Sequence, residues 1–390
     1  MSAARAALRS LLAALLIAAA GAAFAAEPEK ALSGIVQAIE AHRFDLALQR
    51  TEALIAAHPN FRLAHLIRGD LLLARARPLE TFGNVPKTVP REKVEDLRAE
   101  ALSRLQALRE RPNGDRLPRY VLQLHVEQKH AIVVDSKRSR LFLYQNDGGR
   151  PQLVADYYVT LGKNGVEKTR EGDQKTPIGV YHVTGNLPRQ KLTDFYGAGA
   201  YPINYPNAWD KRQGRNGHGI WLHGTPADTY SRPPRASDGC LVLANADLES
   251  LGRNLQVGLT PVIIADEIEW LSAAALEAER KSLGAALESW RADWESRDTG
   301  KYLGHYAPRF HSGDQDLAAW SEHKRKVNAA KSWIKVGVSR VAMFQYPRER
   351  FVVVSFEQDY RSSNLSNAMH KRQYWIKEGA QWKILYEGGA

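Results

Sequence analysis

Sulfur chemistry has one address in this chain. Cys240 is the only cysteine among 390 residues, so no intramolecular disulfide and no cysteine-rich zinc site can form, and the thiol is either inert packing or a nucleophile. It sits in Ser237-Asp238-Gly239-Cys240-Leu241-Val242-Leu243, where Asp-Gly makes a tight turn and the apolar triplet reads as buried strand. Seventeen residues earlier, His223 lies in Ile220-Trp221-Leu222-His223-Gly224-Thr225, a strand ending in a turn. A loop folding back between them brings imidazole to thiol, the arrangement that general-base activation of a cysteine requires. Gly239 permits the turn in which its own N–H and that of Cys240 point together at a developing oxyanion. A free thiol titrates near ~8.5 and a neighbouring cation lowers that value, which draws in His223, Arg232 and Arg235. For an arbitrary lone cysteine, a buried small hydrophobe beside a satisfied core histidine is the better reading; the local pattern reverses that order.

The elements that must position these residues are read from periodicity. From Ala31 to about Arg111 apolar residues recur at helical spacing, and the run from Asp45 to Arg75, with Pro59-Asn60 between two helices and Ala64 and Gly69 at close-packing positions, resembles a tetratricopeptide helix-turn-helix unit. One such unit cannot bury its own face, so it reads as a helical cap or docking module, scaffolding first and a protein partner second. Around Arg111–Leu117 Pro, Asn and Gly punctuate the chain and the period changes to 2. Short strands come next at 131–134, 141–144, 154–160, 179–183, 220–222, 241–243 and 262–265, a mostly β segment. A helix from Asp266 to about Leu283 then leads to a second one carrying Leu287, Trp290 and Trp294, ending near Gly300, and long alternating runs close the chain at 336–344, 351–360, 371–377 and 382–386.

Arg5 and Arg9, the apolar run Leu11–Ala20 and the small-x-small pattern Ala23-Phe24-Ala25 read as a signal peptide, too short to span a bilayer as a helix. Formal charge is +11, and losing Arg5 and Arg9 leaves +9. A basic exported chain points to an anionic extracytoplasmic partner and makes nucleic acid an unsuitable one. The expected location is the periplasm.

Three motifs carry a family resemblance. Gly172-Asp173-Gln174-Lys175-Thr176-Pro177-Ile178-Gly179-Val180-Tyr181, Trp221-Leu222-His223-Gly224-Thr225 and Ser237-Asp238-Gly239-Cys240 stand in the order and approximate spacing of the L,D-transpeptidase catalytic domain, which the segment from about Val121 to Asp266 resembles. The last hundred residues resemble the SnoaL-like, or nuclear-transport-factor-like, cone fold. The implied fold is multidomain α+β: signal peptide 1–25, helical module 26–115, mostly-β catalytic domain 120–266, helical linker 267–282 and SnoaL-like domain 283–390.

What the resemblance implies is a metal-free, cofactor-free enzyme in which Cys240 is the nucleophile, His223 its base, Gly224 the residue whose carbonyl orients the imidazole, and Gly239 with Cys240 the oxyanion hole. Ser237 braces the turn, and Trp221, Thr225, Asp238 and Arg235 stand around it. His218 is a weaker candidate, read first as structural, and Asp173 and Thr176 fix loop geometry. Two positions depart from the commonest signature: Asp238 replaces a His, and Val242 stands where an Arg often lies, leaving open how a substrate carboxylate is bound. Asp238 must point away from the thiol or pair with Arg235 or Arg232. Lys163, Lys168, Arg170 and Arg189 could bind murein carboxylates or be solvated loop charges. Trp320, Trp333, Tyr360, Trp375 and Trp382 are expected to pack a core before they line a pocket. The expected partner is the peptidoglycan stem peptide, with an envelope lipoprotein as a further acceptor. The resemblance implies thioester formation at the diaminopimelate–D-Ala bond and transpeptidation, with L,D-carboxypeptidation, lipoprotein-releasing amidase action and a non-catalytic murein scaffold as alternatives.

Overall fold

The computed structural model describes residues 27–86, 88–110 and 115–389. The segment read as a signal peptide lies outside the described residues; among those described, no helix is long and apolar enough to cross a membrane.

Four helices come first, α1 (Glu27–Glu40), α2 (Phe44–Ala57), α3 (Arg62–Ala74) and α4 (Arg91–Arg109). Leu32, Ile35, Leu54, Phe61, Leu63 and Ile67 form their shared core, as their 3.6-residue spacing requires. Ala64 is fully buried there. Gly69 is not a close-packing position: a Cβ on it would meet nothing within 4 Å.

The middle segment is built on a five-stranded sheet ordered Arg150–Tyr158, Arg140–Asp147, His130–Asp135, Pro261–Ala265 and Gly179–His182. Its central strands, His130–Asp135 and Pro261–Ala265, pair in parallel and are apolar on both faces because both faces are covered. Ile132, Val134, Val262 and Ile264 point to one core. Ala131, Val133, Ile263 and Ala265 point to the other, which also holds Val121, Ala342 and Phe344. A smaller sheet on the first side contains β1 (Trp221–His223) and β2 (Leu241–Val242).

The C-terminal segment lays a long helix, Ala273–Ser296, and the shorter helices Thr299–Leu303 and Leu317–Ala329 on a seven-stranded sheet whose long members are Ile334–Gln345, Phe351–Ser362, Leu365–Glu378 and Gln381–Gly389. The sequence pattern predicts two successive helices here. Gly284, which favours a break, stays helical because Leu283, Leu287, Trp290 and Trp294 on one face are buried, and that burial outweighs the ~1 kcal/mol cost of a helical glycine. Trp320, Tyr360, Trp375 and Trp382 belong to the core, whereas Trp333 is 47% exposed. The short strand Val121–Gln123 joins the far edge of this sheet, pairing with Ile334–Gln345.

Candidate functional site

β1 and β2 lie side by side in parallel, with Leu222 opposite Leu241 and His223 opposite Val242. Leu222 and Leu241 are fully buried, so strand alternation puts Trp221 and His223 on the other face. Continuing the register one step back sets Cys240 beside Trp221, on the face that His223 shares. The imidazole Nδ1 is 2.7 Å from the carbonyl oxygen of Gly224. A carbonyl only accepts, so Nδ1 carries the proton and Nε2 is left as the basic nitrogen. The Cys240 thiol donates to the carbonyl of Gly219 at 3.3 Å.

The turn before the thiol is held by two hydroxyls. Ser237 Oγ donates to the Cys240 carbonyl (2.6 Å) and accepts from the Gly239 N–H (3.1 Å), while Thr176 Oγ1 donates to the Gly239 carbonyl (3.0 Å) and accepts from the Gly162 N–H (2.9 Å). Gly239 has φ +122°, and a Cβ there would lie 2.7 Å from the Lys175 carbonyl oxygen, so no other residue fits. Asn245 braces the histidine turn: its Oδ1 accepts from the N–H of Ala198 (2.9 Å) and Thr225 (3.2 Å), and its Nδ2 donates to the Thr225 carbonyl (2.9 Å).

Burial is the main influence on both titrating groups. It lowers the His223 imidazole to about 4, with the Arg232 cation adding to that and the Gly224 hydrogen bond opposing it. It pushes the Cys240 thiol up from its ordinary value; Asp238 adds to the rise, while the Trp221 backbone hydrogen bond, Arg232 and Lys168 oppose it without prevailing. The expectation that neighbouring cations give a lowered thiol is therefore corrected: removing the thiolate from water costs more than those charges return. The resting pair is a neutral thiol and a neutral imidazole.

Aromatic rings wall the site. Tyr196 and Phe195 lie 5.2 and 5.7 Å from the His223 ring, Trp221 is 5.0 Å from Tyr196, and the Arg232 guanidinium sits 4.8 Å from the Phe195 ring centre.

This arrangement has relatives. Residues 129–264 match the L,D-transpeptidase catalytic domain and residues 282–388 the Cds6 C-terminal NTF2-like domain. The structure of Bd1075 from Bdellovibrio bacteriovorus is 30% identical, with a TM-score of 0.62, over 71% of this chain and 98% of that one. This chain belongs to the L,D-transpeptidase family, with an NTF2-like domain at its C-terminal side. The family is one of peptidoglycan-modifying enzymes. Pgp2 of Campylobacter jejuni, described as a helical cell shape determining protein, is 25% identical over 69% of this chain and 95% of that one, with a TM-score of 0.57. The Escherichia coli protein named as the candidate L,D-transpeptidase YafK is 29% identical over 121 residues, which span 44% of its length.

Within the L,D-transpeptidase-family domain, Cys240, His223, Gly224, Gly239, Ser237, Trp221 and Thr225 come together as one constellation; Thr225 is buried, its hydroxyl 3.4 Å from the Tyr230 carbonyl. Asp238 takes neither expected partner. It is exposed and pairs with Lys163 at 3.0 Å, because Arg235 donates instead to the Ser136 carbonyl at 3.2 Å and Arg232 stacks on Phe195. His218 is exposed on a loop, 3.5 Å from Glu171. Lys168 is not a solvated loop charge but a buried partner of Asp173 at 2.7 Å. Arg189 is exposed, near Asp194. Phe195, Tyr196 and Asn245 escape sequence reading, since a stacking ring or a bracing amide has no spacing signature; the position of Asn245 at the start of a helix, five residues past Cys240, is the only hint.

Proposed function

We propose that the protein is a cysteine acyl-transfer enzyme that opens the diaminopimelate–D-Ala bond of peptidoglycan tetrapeptide stems, with water as acceptor, an L,D-carboxypeptidase acting in cell-shape control. The observation that carries this reading is the juxtaposition on β1 and β2 of a half-buried thiol and an imidazole whose Nδ1 is tied to the Gly224 carbonyl. His223 Nε2 takes the thiol proton as the sulfur bonds to the carbonyl carbon of the L-centre. The oxygen gathers the displaced electron pair beside the Cys240 N–H; the Gly239 N–H, expected to share that task, is already given to Ser237 Oγ at 3.1 Å. The carbon–nitrogen bond then breaks, its electrons accept the proton from His223, and D-Ala leaves as the amine with a thioester remaining. In the second half water gives a proton to His223, attacks the thioester and returns Cys240 as the thiol, releasing tripeptide.

Water is placed ahead of an amine, the reverse of the order drawn from motifs alone, because Bd1075 and Pgp2 match 71% and 69% of this chain, well beyond the catalytic domain, while YafK matches over 121 residues, and the SnoaL-like subgroup it resembles includes L,D-carboxypeptidases. Transpeptidation, which the name of YafK favours, is the second reading and uses the same residues. The test is mass spectrometry of purified disaccharide-tetrapeptide incubated with the mature enzyme and with Cys240→Ala. Tripeptide formed only by the wild type is expected; dimers joined through two diaminopimelates would make it a transpeptidase, and neither product would refute acyl transfer on this substrate.

A further inference from the structure

The loop 225–232 brings a cation to the thiol and leaves it unneutralised. No ion pair or side-chain hydrogen bond engages the Arg232 guanidinium among the described residues; its near neighbour is the face of Phe195 at 4.8 Å. The acidic groups whose field reaches it are Asp238 and Cys240. Asp238 already has Lys163 at 3.0 Å, and the thiol is uncharged at rest, so the guanidinium is half-buried without a counter-ion. Charge held that way is costly unless a ligand supplies the partner.

The main chain that carries it is fixed before any ligand arrives. The Arg232 carbonyl accepts from Tyr158 OH (2.9 Å) and Thr160 Oγ1 (3.0 Å), and Pro233-Pro234 stiffens the chain on its C-terminal side. The residue before it, Ser231, donates to Glu100 of α4 at 2.7 Å, and Tyr230 packs on Phe61 with ring centres 4.3 Å apart. Phe195, 48% exposed, neighbours both the Arg232 guanidinium and the His223 ring. An amino acid bears its amine and its carboxylate on one carbon, so one leaving over that ring would turn the amine to His223 and the carboxylate to the guanidinium.

We propose that Arg232, seated on Phe195, binds the free terminal carboxylate of the stem peptide and makes the enzyme recognise the chain end. This residue supplies from the loop before the thiol what the absent arginine at Val242 would have supplied from behind it. The inference rests on the acyl-transfer reading above. A planar guanidinium takes a carboxylate through paired hydrogen bonds, and the Phe195 ring beneath it shields one side of that pair from water.

The experiment compares a tetrapeptide ending in free D-Ala with the same peptide as its C-terminal carboxamide, using wild type, Arg232→Gln and Arg232→Lys. The wild type should favour the free acid by roughly 10- to 100-fold in kcat/KM, the range for one charged hydrogen-bonded contact. Arg232→Gln should lose that factor on the free acid alone, so that the preference falls toward unity, and Arg232→Lys should recover part of it. Equal wild-type turnover of acid and amide would overturn the inference while leaving the acyl-transfer reading standing, and it needs no variant to fold. An equal loss on both substrates in Arg232→Gln would also overturn it, marking the arginine as structural. If the wild type releases no D-Ala from the free acid, the acyl-transfer reading itself fails and takes this inference with it.

Discussion

At the scale of single residues, the protonation of the resting pair decides how the thiol reacts. With the imidazole lowered to about 4 and the thiol raised by burial, both are neutral between those two values, so proton transfer must accompany attack instead of preceding it. Alkylation of Cys240 by iodoacetamide should therefore be slow at pH 7 and still climbing above pH 9; a plateau from pH 5 to 7 would reveal a preformed thiolate–imidazolium pair and contradict this. Gly224 offers a second check. A Cβ there would run into Asn245 Oδ1 and lie 3.0 Å from the Ala198 nitrogen, so Gly224→Ala should displace the carbonyl that fixes His223. Its kcat should fall about 100-fold or more, with alkylation of Cys240 little changed; unaltered kcat would show that the carbonyl does not orient the base. The thiol, the histidine and the glycine turns were legible in the sequence because each has a fixed motif. The pairing of Asp238 with Lys163 was not, because Lys163 is 75 residues away and reaches the turn only through the fold.

At the scale of elements, the helical module is a brace for the loop that carries Arg232. Arg104 of α4 is buried between Glu29 and Glu100, with its guanidinium 4.0 Å from the Tyr158 ring centre and 5.2 Å from that of Phe61. Asn60 donates to the Ala227 carbonyl at 3.1 Å. Phe61→Ala removes the ring on which Tyr230 rests and should cost about 3 kcal/mol of stability. It should also speed hydrogen exchange at amides 225–232 and lower kcat/KM several-fold. Unchanged exchange in that loop would mean that the module stabilises itself without holding the site. The helix–turn–helix run was readable from its period, but its destination was not: a buried aromatic face looks the same in sequence whether it meets a partner protein or another part of its own chain.

At the scale of the whole molecule, the three segments interlock. Val121–Gln123 leaves the helical module, joins the C-terminal sheet and then leads into the central strands of the catalytic sheet. Where α1 and α4 meet the catalytic domain, Asp247 is pushed up to about 7, by burial first and then by Glu29, against Arg104 and Arg140. The native state thus keeps a proton that the unfolded chain releases near ~3.9, so ionising Asp247 weakens the fold. Stability should be full at about pH 4 and decline as pH rises toward 7; Asp247→Asn should flatten that slope in urea midpoints taken at pH 5 and pH 8. A slope identical to wild type would show that Asp247 titrates normally. The order of segments, the β-rich centre and the Cys-His constellation were determined by the sequence alone, since motif spacing, hydrophobic period and turn residues are local properties. Tertiary structure alone decided that residues 273–296 form one helix, that Val121–Gln123 pairs with a strand more than 200 residues later, that burial outweighs neighbouring cations at the thiol, and that Arg232 is left without an ion-pair partner among the described residues. Each of these depends on which distant groups exclude water from a given atom, and that is settled only when the chain has packed.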